Sequence, residues 1–432
     1  MKLLIIGAGG VGTSAAMILK LAGKGARWAE KVVLADYDFS RAKKVASLCA
    51  GPRFAAEWID ARDSETIGAL IRKHGISFVM NAVDPGFNRA IFDACFENGA
   101  GYLDCALSAS VPDPERPFER VNVKLGDYQF ARHEAWKDAG NIAIVGSGVE
   151  PGMSDVFVRF ASEHLFDTID EVNIRDGDNY TGGGFFGFSV ITTIEECLSP
   201  PIIWEKGRGW FATERFSEPE IFSFPGGIGN REVVNVEHEE VVLVPRVIDC
   251  NRVTFKYGLP PEFRKLLLNL ESVHLTDNNI KIIVGGEPVS PREFLVKVLP
   301  SPVESSGAMT GRGCAGAWIT GDKDGRRRSV YIYQLADNQE CVKKYTTNSV
   351  VAQTAVGPVI MMELVDKGIW NLKGVYGPES FDPDPFMERL GKYGFPAGMR
   401  EMDSEYAEAQ DRRYLSSMFR ACPRHSKHIA GN

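Results

Sequence analysis

The chain has 432 residues, is 44 % hydrophobic and 25 % charged, and carries a net charge of −8. That length exceeds what one compact core fills, so two domains, or one with a large insertion, are expected. The acidic balance argues against general binding to nucleic acid or anionic membranes, and no apolar run approaches the length that spans a bilayer.

The opening residues 1–6 form a short apolar strand, not the longer apolar core of a signal peptide. The strand runs into Gly7-Ala8-Gly9-Gly10-Val11-Gly12. Val11, Ala15, Ile18 and Ala22 then recur on one helical face. Strand, glycine turn and helix in this order predict a dinucleotide-binding βαβ unit. Gly7 permits the tight turn, Gly9 lets a pyrophosphate approach the backbone, and Gly12 lets the helix pack closely on the strand. The loop from Gly7 through Gly10 and Val11 to Gly12 is therefore assigned to the cofactor, with the helix N-terminus facing its phosphates.

A second strand, 32–35, ends at Asp36, 24 positions beyond Gly12, where a carboxylate can take the ribose hydroxyls. Asp38 adds a second negative charge nearby, which disfavours the extra phosphate of NADP, so NAD is expected; Arg41 and Lys43 on the next helix leave NADP open. Further strands are predicted at 54–59, 76–82, 101–104 and 141–145, with helices at 64–73, 88–97 and 126–138 between them. Helix-connected strands favour a parallel sheet whose ligands lie beyond the strands' carboxyl ends. Asp60, Asn81 and the following Ala82 and Val83 occupy such ends and are candidate cofactor contacts. Cys105 follows another end, where a lone cysteine is more often a small buried hydrophobe.

After Val149 the pattern changes. Pro151-Gly152 leads into one more amphipathic helix. Strands then dominate, at 172–174, 232–244, 253–257, 315–320 and 329–335, with a hairpin turn at 322–325. Residues 347–366 return to helix. The expected fold class is α/β: an N-terminal Rossmann doubly wound parallel sheet plus a second mixed α/β domain with a largely antiparallel sheet. The expected division is 1–148 for the dinucleotide domain, 149–365 for a substrate-binding and dimerisation domain, and 366–432 for a segment that packs back on the first domain. The final eight residues are expected to fray. Eight cysteines without a CxxC pair read as a reduced, cytoplasmic chain with neither disulfides nor a zinc site, and no metal is expected.

Within 232–244, strand alternation places His238 and Glu240 on an otherwise apolar face. Such polar groups need partners: they form either a general base or a structural pair locking the sheet. Arg231, after the Gly226-Gly227-Ile228-Gly229 run, is a candidate clamp for a substrate carboxylate, with Arg175 and Arg208 as weaker alternatives. Tyr180 and the glycines at 182–184 read as a lid over the substrate. Glu150 is a candidate contact to substrate or nicotinamide ribose, whereas Asp155 reads as a cap on the helix that follows.

Seven segments stand in a specific order: GAGGVG, Asn81-Ala82-Val83, ENGAGYLDCA at 97–106, GVEPGMSD at 148–155, HLFDTIDEVNIRDG at 164–177, FSFPGGIGNREVVNVEHEEVVLVPR at 222–246 and GPESFDPDPF at 377–386. By these segments together the chain resembles the saccharopine dehydrogenase/reductase family. Saccharopine dehydrogenases, carboxynorspermidine or carboxyspermidine dehydrogenases and lysine 6-dehydrogenases share the pattern. The resemblance implies reversible oxidation of a C–N bond in an amino-acid-derived secondary amine, hydrolysis of the resulting imine, and a homodimer. Glu150-Pro151-Gly152 departs from the family's usual Asp-Pro-Gly by one methylene. Three arginines favour a substrate rich in carboxylates such as saccharopine. Asp176, Asp178, Tyr180 and the acidic run 237–240 favour a cationic tail. A nucleotide-binding regulator without turnover is the third reading.

Overall fold

The computed structural model describes residues 1–402 except 109, 114, 117, 184–185 and 300–305. Gly184 of the expected lid and the expected frayed tail lie outside the described residues.

The first sheet has seven strands, all parallel. Five belong to β1 (Lys2–Ile6), β2 (Lys31–Asp36), β3 (Phe54–Trp58), β4 (Phe78–Asn81) and β5 (Gly101–Asp104). Ile142–Ile144 and Gly374–Tyr376 add to the far edge, giving the order Gly374–Tyr376, Ile142–Ile144, β5, β4, β1, β2, β3. The chain order reverses between β1 and β4, and a ligand crevice opens at such a switch point. Strand β1 is buried over Leu3–Ile6, as a parallel strand covered on both faces must be. Helix α1 (Gly10–Leu21) packs on it, and Ser349–Asp366 packs on α1 in turn. Ser349–Asp366 is 18 residues long and apolar enough to cross a membrane, which corrects the expectation that no run comes near that length; 83 % of it is buried inside the protein.

The second sheet has nine strands and is largely antiparallel, the exception being Thr168–Asp178 beside Arg252–Tyr257. Its spine is the hairpin Arg312–Lys323 with Arg326–Asp337. The turn falls on Asp324 and Gly325, both with positive φ, the conformation an Asp-Gly hairpin turn requires. The C-terminal segment serves both sheets: Gly374–Tyr376 extends the first, and Ala397–Glu401 pairs with Arg326–Asp337 in the second.

Two elements differ from the sequence expectation. The predicted strand 232–244 stops at Asn235; Val236–Glu239 leave the sheet and Glu240–Leu243 turn into a helix. Burial on all sides, not strand alternation, explains the apolar residues there, since Val234, Val236, Val241 and Val242 are all buried. Val190–Leu198, absent from the sequence reading, is a helix capped by Ser189, whose side chain accepts the Thr192 N–H.

Candidate active site

The glycine loop has the geometry its spacing predicts. Gly7 has φ +100°, and a Cβ there would meet Ala82 O at 2.6 Å. A Cβ on Gly12 would lie 1.9 Å from Gly7 O, so only glycine lets α1 start this close to β1. A Cβ on Gly9 would meet nothing within 4 Å, and it would project into open space above the loop. That space is a cavity of about 710 Å³, within the range of ligand sites. Ala8 to Val11, Ala82, Val83 and Cys105 form its floor, and Phe188, Ser189 and Thr192 cover one side. The donor-rich start of α1 and the missing Cβ at Gly9 fit a dinucleotide diphosphate.

Asp36 does not face this cavity openly. Its Oδ2 accepts the Ala8 N–H at 2.8 Å and its Oδ1 accepts the Asp38 N–H at 2.8 Å, so the carboxylate fixes the turn. Asp38 is also occupied: it caps the helix α2 (Phe39–Cys49) by accepting from Ser40 and Arg41. Hydrogen bonds from the Ser40 side chain and backbone hold its carboxyl below the usual range. The groups of this segment that do line the cavity are Arg41 and Lys44. The two carboxylates thus hold local structure, and Asp36 also reaches Arg41, whose Nη1 lies 3.5 Å from Asp36 Oδ2, while Arg41 and Lys44 line the crevice.

Asp60 and Asn81 stand elsewhere than expected. Asp60 is bound by the guanidinium of Arg62, with Nη2 to Oδ2 at 2.7 Å, and does not line the cavity. Asn81 is buried beneath it, donating to Asn88 at 2.8 Å and accepting the Val83 N–H at 3.2 Å. It shapes the β4 turn from below, while Ala82 and Val83 reach the surface of the crevice. Asp104 sits in the same layer, accepting from Gly146 and Tyr102; burial raises its carboxyl to about 7.

Phe188 also borders a second, inner cavity of about 80 Å³. Its walls carry Glu150, Asp176, Glu196 and His238 with the rings of Phe255, Tyr257 and Phe263. Four separate segments supply the polar groups. Glu150 lies in the turn before Met153–His164, and its Oε1 accepts the Gly316 N–H at 3.0 Å. Its Oε2 is buried without a donor, beside the carboxyl of Asp176. Burial first, and Asp176 second, push the Glu150 carboxyl well up; burial and Asp178 raise Asp176 to about 7. Two carboxyls in such contact cannot both ionise, so the pair holds a proton.

His238 stacks on Phe255, with ring centroids 3.7 Å apart and an interplanar angle of 8°. Its Nδ1 lies 2.6 Å from Glu240 Oε2 and 3.3 Å from Glu239 Oε2. Burial opposes charge on the ring, but the Glu240 and Glu239 carboxylates outweigh it and raise His238 to about 10. At neutral pH the side chain is an imidazolium. The expected general base is therefore, in the ligand-free protein, a held acid. Ser154 Oγ donates to Glu240 Oε1 at 2.7 Å and the Leu107 N–H to Glu239 Oε1 at 2.7 Å, fixing both carboxylates from behind. Asp155 plays the capping role read from sequence, its Oδ2 accepting the Gly152 N–H at 2.7 Å.

Arg231, Arg175 and Arg208 line neither cavity. Arg231 donates from Nε to Asp178 O at 2.7 Å and from Nη1 to Asn230 O at 2.9 Å, so it clamps two strands instead of waiting for a carboxylate. Arg175 is buried in an ion pair with Glu220 at 2.6 Å. Arg208 lies over the Phe211 ring. Tyr180 is tied by its hydroxyl to Ser349 Oγ at 2.6 Å and lines neither cavity, which does not support a substrate-facing lid at this residue.

Sequence reading missed Glu196 and the helix that carries it. The run Val190-Ile191-Thr192-Thr193-Ile194 is β-branched and looks like strand. Apolar residues at 190, 194, 197 and 198 after the Ser189 cap were the helical signal.

Comparison with known proteins agrees with this architecture. Residues 3–144 match the saccharopine dehydrogenase NADP-binding domain, and 148–395 match the saccharopine dehydrogenase C-terminal domain. A carboxynorspermidine synthase of Vibrio cholerae is 26 % identical over 95 % of this chain and 99 % of its own length. A carboxyaminopropylagmatine dehydrogenase of Synechocystis is 28 % identical over 91 % of this chain and 96 % of its own. The saccharopine dehydrogenase (L-Glu forming) of Saccharomyces cerevisiae shares the fold, with a TM-score of 0.64 at 12 % identity, covering 93 % of this chain and all of that one. The two domain matches together span most of the sequence, and the chain belongs to the saccharopine dehydrogenase family of NAD(P)-dependent oxidoreductases.

Proposed function

We propose that this protein is an NADP(H)-dependent dehydrogenase that makes or breaks the C–N bond of a secondary amine joining an amino-acid carbon chain to a cationic amine tail. The observation that carries this reading is the inner cavity. Among the described residues it offers three carboxyl-bearing side chains and four aromatic rings, with no arginine in its wall. Carboxylates and ring faces suit an ammonium with its methylenes. Saccharopine, with three carboxylates, would want the arginines that are committed elsewhere. Two relatives bear names, carboxynorspermidine synthase and carboxyaminopropylagmatine dehydrogenase, that combine a carboxylate with a polyamine-like tail.

The 710 Å³ crevice would hold the cofactor, with Gly9, Gly10 and Val11 at the diphosphate, and Ala82 and Val83 beside the nicotinamide ribose. Arg41 and Lys44 would meet a 2′-phosphate, which favours NADP over the NAD expected from Asp36 and Asp38. A bound nicotinamide supplies hydride transfer. The chain's own task is to orient the amine and to handle protons. His238, held charged by Glu240 and Glu239, donates a proton to the leaving oxygen as amine and carbonyl compound condense, and recovers one in the reverse direction. Glu150, sharing its proton with Asp176, positions the amine by its Oε2. A homodimer is proposed on the same footing: the two-stranded hairpin Ile282–Val284 with Glu287–Val289 leaves Ile282, Ile283 and Val284 exposed, a surface a second copy would cover.

The test is oxidation of carboxynorspermidine and of saccharopine by the purified enzyme with NADP⁺ or NAD⁺, followed by the absorbance of the reduced cofactor. The reading expects turnover of carboxynorspermidine with NADP⁺. Faster turnover of saccharopine would overturn it.

A further inference from the structure

Each carboxylate around the inner cavity can be asked what already engages it. Glu150 accepts the Gly316 N–H and leans on Asp176. Glu239 and Glu240 hold His238 and are themselves anchored by Leu107 and Ser154. Glu237, next in the chain, accepts the Ile202 N–H at 2.8 Å and the Ser110 hydroxyl. Glu196 differs. It lines the cavity, as does the undonated Glu150 Oε2, and among the described residues no hydrogen bond reaches either of its carboxyl oxygens; besides its partial removal from water, the charges of His238, Glu239, Glu240 and the neighbouring Glu195 act on it. Glu196 is only partly buried, so its carboxyl group is open to a ligand that supplies a partner.

The position of Glu196 on its helix matters as much as its charge. Ser189 and Thr192, at the start of Val190–Leu198, line the dinucleotide crevice. Glu196 follows Thr192 by one turn, a rise of about 6 Å. The helix therefore connects the place where the C–N bond is handled to an unengaged carboxyl deeper in. The cavity between has about 80 Å³, a few times what a single water molecule needs and far less than a whole substrate would fill. That is the size of a short aminoalkyl tail. Phe255, Tyr257 and Phe263 supply apolar walls for its methylenes.

We propose that Glu196 is the specificity-determining residue of this pocket: it takes the terminal ammonium of the substrate's amine tail, and the helix Val190–Leu198 fixes the tail length at about three or four carbons. This rests on the cationic-tail reading above and adds the residue and the length to it. Glu196 touches the end of the substrate remote from the reacting carbon, so its contribution appears in which amines bind.

Calorimetric titration of the NADP⁺-loaded enzyme tests it with four probes: propane-1,3-diamine, butane-1,4-diamine, and the monoamines butylamine and pentylamine, in which a methyl group replaces the second ammonium. The wild-type protein should bind each diamine at least tenfold more tightly than its monoamine counterpart. Glu196→Gln should reduce that ratio below threefold, and Glu196→Asp should keep part of it. Titration of the Gln variant with NADPH, expected at wild-type affinity, shows that the fold is intact. If the wild-type protein does not distinguish diamine from monoamine, the cationic-tail reading itself fails. If the wild-type protein distinguishes them and Glu196→Gln does so equally well, the reading stands and Glu196 is not its source. Equal binding of heptane-1,7-diamine would overturn the length limit.

Discussion

The crevice over the glycine loop and the inner cavity are neighbours that share Phe188, yet they are built on opposite principles. The crevice is made of backbone. Its shape depends on missing side chains at Gly7, Gly9 and Gly12, all within one turn and the helix that follows. The pocket is made of side chains, and its polar groups come from residues 150, 176, 196 and 238 on four segments. At Gly7 and Gly12 the first region has no room for an added carbon, whereas at Gly9 the free space belongs to the cavity. The second stores uncompensated carboxyl groups, which places its weakness in charge and pH. A site shaped by sterics should fail abruptly on substitution, whereas one shaped by electrostatics should respond by degrees.

The largest effect should come from the crevice. Gly12→Ala forces a Cβ to within 1.9 Å of a backbone oxygen, which cannot move without shifting β1 or α1. A loss of about 3 kcal/mol and of cofactor binding is expected, read by denaturant unfolding and NADPH fluorescence. Gly9→Ala is the control that sharpens the point. Its Cβ meets open space, so the melting temperature should hold while NADPH affinity falls at least tenfold. Equal destabilisation by both would break the distinction between packing glycine and ligand-facing glycine.

In the pocket, His238→Gln should lower kcat by about a hundredfold or more, as for other lost general acids, with NADPH binding kept. Near-normal turnover would return His238 to a purely structural pair with Glu240.

The pH response follows from the same charges. His238 is raised from 6.5 to about 10, so its contribution to stability is full below about 6.5 and is lost as pH rises through 10. Glu196 and Asp176 are raised to about 8 and 7, so their burial costs increasing stability as pH climbs from about 4.5 through those values. Both effects have one sign: the folded protein binds more protons than the unfolded chain. The melting temperature of the ligand-free protein should therefore fall steadily from pH 6 to pH 9. A flat or rising profile would contradict the charge arrangement described for the pocket.

The smallest effect belongs to the rim. Arg41→Ala should cost about 1 kcal/mol of NADPH binding and little for NADH, seen as a reduced preference in KM. An equal loss for both cofactors would place Arg41 away from the 2′ position.

The same contrast explains what could be read from the sequence. The crevice was legible because its signal is local: spacing of glycines, a helical face and strand-end residues lie within a few dozen positions. Even there, the hydrogen bonds that tie Asp36 and Asp38 to the turn and to the α2 N-terminus carry no signal in the sequence, because a carboxylate at a strand end looks alike whether it faces a ribose or caps a turn. The polarity of the pocket was only partly legible. His238 and Glu240 stand out as polar residues in an apolar run, but the alternation of that run predicts strand, whereas the chain leaves the sheet after Asn235. Arg231 and Tyr180 were chosen by residue type, and tertiary partners 53 and 169 positions away in sequence claim them. Glu196 was missed because β-branched residues masked its helix.

The most direct test of the account is a crystal structure of the ternary complex with NADP⁺ and a diamine. The account predicts the diphosphate over Gly9 and the start of α1, with an ammonium nitrogen inside the inner cavity in contact with a carboxylate. A diamine bound outside that cavity, with the carboxyl groups of Glu150, Asp176 and Glu196 left unoccupied by any cation, would contradict it.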